Sequence, residues 1–355
     1  SSQHDRKLPR CIIMSQDIEK QKKSAVKLAL AAFLHDIGKF SQRACGDENS
    51  SAEGIAAFYL DKEFINSNRD LYQPYNQNGN YHTHVHALFT AAFIDHLEAL
   101  LPECLNRANW DLEESLINLS AGHHRLEEID AVSGSGDVKL LLRWIVARAD
   151  RMSSCLERVP SREEFKQEFD KYNLAQEVKD YRRDRLIPIV EGVSLESEFT
   201  KTSQAQFAYR LPLRPAQGES LFPAAAEKAI PADDDAAASE YRKLFEDFYH
   251  ELEGLKDFRD NVELWFEQFY NLYQRYGGCI PAATVGKAWR DVSLFDHSRI
   301  TSAFATALYL YHRNNNTLNS PVEIFNASTK KFLLIKTDFF GIQKFIFASG
   351  GATNK

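Results

Sequence analysis

The stretch 33-FLHDIGKF-40 decides how this chain folds and what chemistry it can hold. It closes an apolar run in which Val26, Leu30, Phe33 and Ile37 recur at helical spacing, so a helix is predicted over 24–40 with Gly38 as its stop. At the end of that helix a histidine and an aspartate stand side by side. Neighbours on a helix point about 100° apart, so His35 and Asp36 cannot share a face through spacing alone. At a helix end, however, adjacent side chains can both tilt toward a cavity between neighbouring helices and offer one imidazole nitrogen and one carboxylate oxygen to the same point.

Working outward, the first 160 residues read as helix. Further helices are predicted over 51–62, over 82–100 with Phe89, Phe93, Leu97 and Leu100 on one stripe, over 111–121 up to Gly122, and over 137–157 with Leu141, Ile145, Ala149 and Met152 at core spacing. Polar loops are predicted over 41–50 and 66–80. Strand-like runs follow at 186–190 and 205–213, beside the basic cluster Arg182, Arg183 and Arg185, and 214–239 reads as a loop. Two strong helices come next, one carrying Leu244, Phe248, Leu252 and Leu255. The other carries Val262, Trp265, Phe266, Phe269 and Tyr273 and is stopped by 277-GG-278. A further helix opens at Asp296, the expected cap, and stacks Ile300, Phe304, Leu308 and Tyr311. The pattern then changes to 331-KFLLIKTD-338, a predicted buried strand, followed by a helix over 340–349.

The fold class is therefore mainly α. An N-terminal all-α bundle occupies 1–160, with 1–14 read as leader or tag and Met14 as a natural start. A helical linker region with some strands, able to pack back on the bundle, occupies 161–325, and a further α/β domain begins over 326–355.

Composition narrows the function. At 355 residues the chain exceeds one ordinary core, and 44% hydrophobic with 26% charged residues marks a globular protein. No apolar run approaches the roughly 20 residues of a membrane helix, and the N-terminus lacks a signal-peptide core, so a cytoplasmic location without a membrane is expected. Cys11, Cys45, Cys104, Cys155 and Cys279 make no CxxC pair, which excludes zinc-finger spacing and fits a reducing compartment. A net charge of −7 excludes a surface that coats nucleic acid; such contact has to come from a local basic surface or a bound metal.

The histidines supply the chemistry. Eleven are present, and the informative ones are His35, His82, His84, His86, His123 and His124, with Asp36 and Asp150 as carboxylates. Imidazole and carboxylate together suit Mn, Fe, Ni, Co or Zn, and a helix bundle can gather such donors from several helices. The candidate ligands are His35, Asp36, His86, His123, His124 and Asp150; Lys39, a turn beyond, can steer a phosphate. Each has a plainer reading. His82 and His86 form an i, i+4 pair that can simply face solvent, His123 and His124 can cap a helix C-terminus, and Asp150 can pair with Arg148 or Arg151. Their order, HD…H…HH…D, each on or beside a predicted helix, favours a metal site. His297 reads as an exposed residue in the first turn of a helix capped by Asp296; the alternative, that it packs back and supplies a ligand, stays open.

The order HD, HALFTA, HH and ARADRMSSCLER resembles the HD superfamily of metal-dependent phosphohydrolases. That resemblance implies His35, Asp36 and Asp150 as metal ligands, with His86 and His123 or His124 from intervening helices. The segments 33-FLHDIGKF-40, 86-HALFTAAFI-94, 149-ADRMSSCLER-158, 291-DVSLFDHSRITSAFATALYLYH-312 and 335-IKTDFFGIQKFI-346 resemble, in this order, the large subunit of type III CRISPR–Cas effector complexes, with the Csm-type branch of subtype III-A fitting best.

The resemblance implies an HD nuclease domain followed by a palm built on a ferredoxin-like sheet, which IKTDFFGIQKFI begins; Phe339 and Phe340 replace the small residues usual there. It implies a divalent transition metal (Mn, Ni, Co or Fe), His35, Asp36 and Lys39 at the catalytic centre, and single-stranded DNA as substrate. The implied partners are the other effector subunits with guide RNA, and target RNA through the complex. The family also makes cyclic oligoadenylate from ATP at a GGDD motif. No GGDD and no cysteine-rich zinc element occur in these 355 residues, so the sequence is expected to be the N-terminal part of a longer protein and the ATP-dependent activity is not assigned to it. Two alternatives remain, a non-catalytic scaffold of the same complex and an HD phosphohydrolase acting on nucleotides.

Overall fold

The structure is a computed structural model; it describes residues 10–45, 62–112, 114–126, 142–154, 176–177, 180–192, 208–283, 287–288 and 290–335. The described residues are mainly helical. In chain order the helices are α1 (Arg10–Leu34), α2 (Gly38–Cys45), α3 (Lys62–Tyr72), α4 (His86–Leu97), α5 (Leu116–Ala121), α6 (Leu142–Ser154), α7 (Ala226–Ala229), α8 (Asp234–Leu252), α9 (Val262–Gly277), α10 (Leu294–Asn314) and α11 (Pro321–Phe325). Three two-residue antiparallel pairs accompany them. β1 (Tyr75–Asn76) pairs with β2 (Tyr81–His82), β3 (Gln176–Glu177) with β6 (Lys287–Ala288), and β4 (Tyr209–Arg210) with β5 (Ala224–Ala225).

Local chemistry sets the helix starts. Ser115, Asp233, Asn261, Ser293 and Ser320 are N-caps whose side chains accept the amide three residues on, each satisfying one of the amides that a helix end leaves unpaired.

The main cluster of the core joins residues from Ala25 in α1 to Ile324 in α11, and two smaller clusters lie around Ile65 and Leu88 and around Ala283 and Ala288. Phe33, at the end of α1, shows how the halves meet. Its ring stacks on Tyr270 at 5.7 Å and meets Tyr273 at 5.3 Å and Phe295 at 6.1 Å edge-on. Burial of such a ring is worth about 3–5 kcal/mol against alanine. α10 lies along α1 and α6, so the C-terminal helices pack back on the N-terminal bundle.

Several expectations from the sequence are corrected. The first helix breaks at residues 35–37, and Gly38 opens α2 instead of ending α1. A Cβ on Gly38 would lie 2.1 Å from the His86 carbonyl oxygen and 2.3 Å from the Thr90 amide nitrogen, so only glycine lets α2 start this close to α4. Residues 41–45, expected as loop, continue this buried helix. Val26 is 54% exposed because the buried face of α1 runs through Ala25, Leu28 and Ala32.

The predicted loop over 66–80 holds the rest of α3 and the β1–β2 turn, and the helix expected over 82–100 starts only at His86, after β2. The helix expected from 111 starts at Leu116. Residues 186–188 form no strand and Ile189–Gly192 is a 3-10 turn; the 205–213 run keeps only the two strand residues of β4. The predicted loop over 214–239 contains β5, α7 and the start of α8. α10 is capped by Ser293, with Asp296 inside its first turn. Residues 331–335 form no strand, and Leu333, Leu334 and Ile335 are exposed, because no described strand lies beside them to pair. The helix over 51–62 (all but its last residue), both ends of 137–157, and the palm start beyond residue 335 lie outside the described residues.

Among the described residues no helix is long and apolar enough to cross a membrane.

Candidate metal centre

His35 and Asp36 sit in the three-residue link between α1 and α2. Three hydroxyl contacts pin this link. Thr90 Oγ1 donates to the His35 carbonyl at 3.0 Å and accepts from the Gly38 amide at 3.1 Å, and Ser120 Oγ donates to the Ala31 carbonyl at 2.9 Å. Leaving the helical register lets the two adjacent side chains converge, with His35 Nε2 3.4 Å from Asp36 Oδ2.

Asp36 presents its two oxygens to two groups of donors. Oδ1 lies 3.3 Å from Nε2 of His86, the first residue of α4. With His123 and His124, which lie on a 3-10 turn at the end of α5, these atoms fall within 4.8 Å of one another. Oδ2 lies 3.3 Å from Nε2 of His297 on α10. His35, Asp36, Asp150 of α6 and His297 make the second group, again within 4.8 Å. Asp150 Oδ1 is 3.2 Å from His297 Nε2 and 3.6 Å from His35 Nε2. Asp36 is common to both groups.

The donors carry their lone pairs inward. His35 Nδ1 donates to the Ala32 carbonyl at 2.7 Å and His123 Nδ1 to the Ser120 carbonyl at 2.5 Å, which leaves each Nε2 as an acceptor. Ser153 Oγ donates to the His297 carbonyl at 3.3 Å, so it accepts from His297 Nδ1 at 3.2 Å and the Nε2 of His297 is also a lone pair. His35 and His297 then meet Nε2 to Nε2 at 3.1 Å, and the Nε2 atoms of His86 and His124 also lie 3.1 Å apart. Two ring nitrogens at that distance need a proton or a metal cation between or beside them. Asp36 Oδ1 and His123 Nε2 are buried and have no hydrogen-bond partner. Orphaned acceptors of this kind are what a divalent ion would satisfy, and the mixed N/O set suits a transition metal.

The electrostatics agree with that division. Burial pushes His86 and His124 well below the usual histidine range and His123 down to about 4, the latter helped by His35, so all three are neutral and able to ligate. Burial also opposes the charge on His35, but Asp36 and Asp150 outweigh it and raise its pKa. Burial works to raise Asp36, and Lys39 and His35 more than reverse it; for Asp150 the close approach of His297 and His35 does the same. Both carboxylates are held ionised.

Every residue singled out in the first 160 as a ligand is thus in one place: His35, Asp36, His86, His123, His124 and Asp150. Lys39 has a different placement from the one expected. It is 8% exposed, with Nζ 2.6 Å from Asp36 Oδ2 and donating to the Ala282 carbonyl at 3.2 Å, so its ammonium is spent orienting Asp36 and does not reach out to a phosphate. His82 lies in β2, 3.6 Å from exposed Asp70, and takes no part. The exposed His84 ring lies tilted against that of His124, with centroids 3.9 Å apart. His297 corrects the reading of an exposed first-turn residue, being 1% exposed. The signal was present. His297, Thr301, Ala305, Leu308 and His312 form a continuous helical stripe, and all are buried, while Ile300, Phe304 and Tyr311 of the expected stripe are only partly so.

No family model matches the chain. It is 28% identical over 342 residues to the CRISPR system single-strand-specific deoxyribonuclease Cas10/Csm1 (subtype III-A) of Methanocaldococcus jannaschii, an alignment that covers 90% of this chain and 34% of that protein. The protein of the same name from Enterococcus italicus is 26% identical over 243 residues, 66% of this chain and 29% of the relative. That from Streptococcus thermophilus is 33% identical over 96 residues, 25% of this chain and 13% of the relative. The chain spans about a third of the length of the first of these relatives and less of the other two. The kinship implied by the motifs and the kinship found by comparison are the same: the chain is related to the large subunit of type III-A CRISPR effector complexes.

Proposed function

We propose that this chain carries a metal-dependent HD-type nuclease centre that hydrolyses phosphodiester bonds of single-stranded DNA, within an RNA-guided complex whose other subunits and guide RNA find the target RNA. The observation that carries it is the pair of donor groups sharing Asp36, with orphaned acceptors turned inward. The names of the relatives supply the substrate. Base pairing to the guide would supply sequence recognition, which suits a chain with a net charge of −7.

Asp36, His86, His123 and His124 would hold one divalent ion, and His35, Asp36, Asp150 and His297 a second. Such an ion supplies Lewis acidity, lowering the pKa of water and offsetting the charge that builds on phosphorus. The protein's own part is to preorganise. Lys39 fixes the Asp36 carboxylate so that both oxygens face donors. Carbonyl and hydroxyl acceptors on the Nδ1 atoms of His35, His123 and His297 set their tautomers and ring planes. Burial of all the donors but the partly exposed His124 and Asp150 keeps most of the centre from bulk water.

The test is cleavage of 5′-labelled single-stranded DNA by the purified chain with Mn²⁺ or Ni²⁺. Loss of cutting in His35→Ala/Asp36→Ala is expected; a double variant that cuts as fast as the parent overturns the proposal.

A further inference from the structure

Resting on the nuclease reading above, we infer that the hairpin within 73-QPYNQNGNYHTH-84 is the surface on which the single-stranded DNA substrate stacks its bases beside the metal centre.

The hairpin is built onto the rim of the centre. At its base the Thr83 amide donates to the Pro74 carbonyl at 2.9 Å, and Gln73 Nε2 donates to the Thr83 carbonyl at 3.1 Å. Arg125, which directly follows His124, donates from Nη1 to the Gln73 carbonyl at 3.4 Å, tying the hairpin to the histidine turn. The next residue out of the hairpin, His84, takes a left-handed backbone with φ of 57°. Its ring centroid lies 3.9 Å from that of His124 and 5.7 Å from that of His86. At about 3.3 Å per residue the chain carries Tyr81 no more than roughly 10 Å from His84. That is a span of about three nucleotides at roughly 3.4 Å each.

Two tyrosine rings stand out from this short hairpin. Tyr75 is 41% and Tyr81 is 55% exposed. Tyr75 is opposite His82 and Tyr81 opposite Asn76, so the two rings occupy opposite faces. Each is held in place from within the hairpin. Tyr75 Oη donates to Asn80 Oδ1, and Asn76 Nδ2 donates to Tyr81 Oη at 3.5 Å while its Oδ1 accepts the Gly79 amide at 3.0 Å. Gly79 makes room, since a Cβ there would lie 2.2 Å from Tyr81 Cε1. A large ring kept in water with its plane fixed, beside a buried donor cluster, is suited to contact and contributes little to the core.

The chemistry around the rings selects the partner. Residues 73–84 contain no carboxylate, so the hairpin itself offers a phosphate chain no repulsion; the acid near it is Asp70, 3.6 Å from His82 Nε2. Asparagine and glutamine amides supply donors and acceptors without charge. A fixed aromatic face accepts any unpaired base and none that is locked in a duplex, which gives preference for single strands with no reading of sequence.

The experiment uses the full chain, fluorescein-labelled (dT)20 and fluorescence anisotropy in EDTA, followed by cleavage kinetics in Mn²⁺. Tyr75→Ala/Tyr81→Ala is expected to weaken binding about tenfold or more, in the range that stacking one or two bases provides, and to raise KM more than it lowers kcat. Tyr81→Phe, which keeps the ring, is expected to stay within about twofold of the parent, while Tyr209→Ala, an exposed tyrosine on β4, changes nothing. A double alanine variant that binds like the parent overturns the stacking surface and leaves the nuclease reading intact. A parent that binds (dT)20 through the tyrosines but does not cut it overturns the nuclease reading and leaves the surface standing. Tighter tyrosine-dependent binding of (rU)20 than of (dT)20 overturns the assignment to DNA.

Discussion

His35 and His297 are 262 positions apart in the chain, yet their Nε2 atoms lie 3.1 Å from each other, both beside the carboxylates of Asp36 and Asp150. If the second donor group holds an ion as proposed, His297 would be a ligand of the same rank as the histidine of the HD pair. His297→Ala is therefore expected to reduce metal-dependent cleavage as severely as His35→Ala, beyond the roughly 10–100-fold typical of groups that only support ligands. The double variant should lose little more, because parts of one site are not additive. Metal content after dialysis, read by mass spectrometry alongside cleavage rate, checks it; a His297→Ala protein with full metal and full rate would refute it.

Lys39 and Asp36 form a buried pair, with side chains 10% and 2% exposed. Lys39→Met removes the cation and leaves the carboxylate uncompensated, which is expected to destabilise the protein in EDTA by about 3–5 kcal/mol. Mn²⁺ should return part of that loss, since a divalent ion bound to the folded state offsets the same charge. Urea unfolding with and without Mn²⁺ measures both numbers, and equal losses in the two conditions would speak against an ion at Asp36.

In EDTA, stability should peak near neutral pH. His86, His123 and His124 have folded pKa values below their unfolded ones, with His123 at about 4. Between about pH 4 and 6.5 the unfolded chain then binds more protons than the folded one, so stability falls as pH drops through that window. His35 has the opposite sign. Its raised pKa adds stability below 6.5, and that contribution is lost as pH rises through its folded value. Melting temperature against pH checks the shape, and His123→Gln should flatten the acidic limb.

Gly38→Ala is expected to destabilise the protein by at least about 1–3 kcal/mol, the range for overpacking, because the atoms the new methyl meets are backbone atoms of α4 that cannot turn aside. The same shift would pull His86 away from Asp36, so cleavage should fall further than the loss of folded protein explains. Denaturant unfolding and specific activity together separate the two effects.

Sequence periodicity located most of the large helices because their stripes are strong and local. Trp265, Phe269 and Tyr273 on α9, and Leu244, Phe248 and Leu252 on α8, were read at the right spacing and are all buried. The order of histidines and aspartates pointed to six donors that the fold does bring together. What local patterns gave least clearly was whatever a distant neighbour decides. His297 looked like a first-turn surface residue until α10 was laid along α1 and α6, and Lys39 looked free until the Ala282 carbonyl and the Asp36 carboxylate were found around it. Gly38 carried the usual signature of a helix stop, and its actual reason is the closeness of α4.

The packing of α10 against α1 has a consequence for biogenesis. A nascent chain that has emerged only as far as residue 160 has delivered the HD pair, His86, the double histidine and Asp150, but neither α10 with His297 and Phe295 nor α9 with Tyr273, which together cover Phe33. Until residues near 300 emerge, the nascent chain lacks one donor of the second group, so on the proposed reading a truncated product would hold an incomplete centre. On the same reading, trimming from the C-terminal side is expected to weaken the proposed centre once it removes α10, well before it reaches any residue of the HD pair.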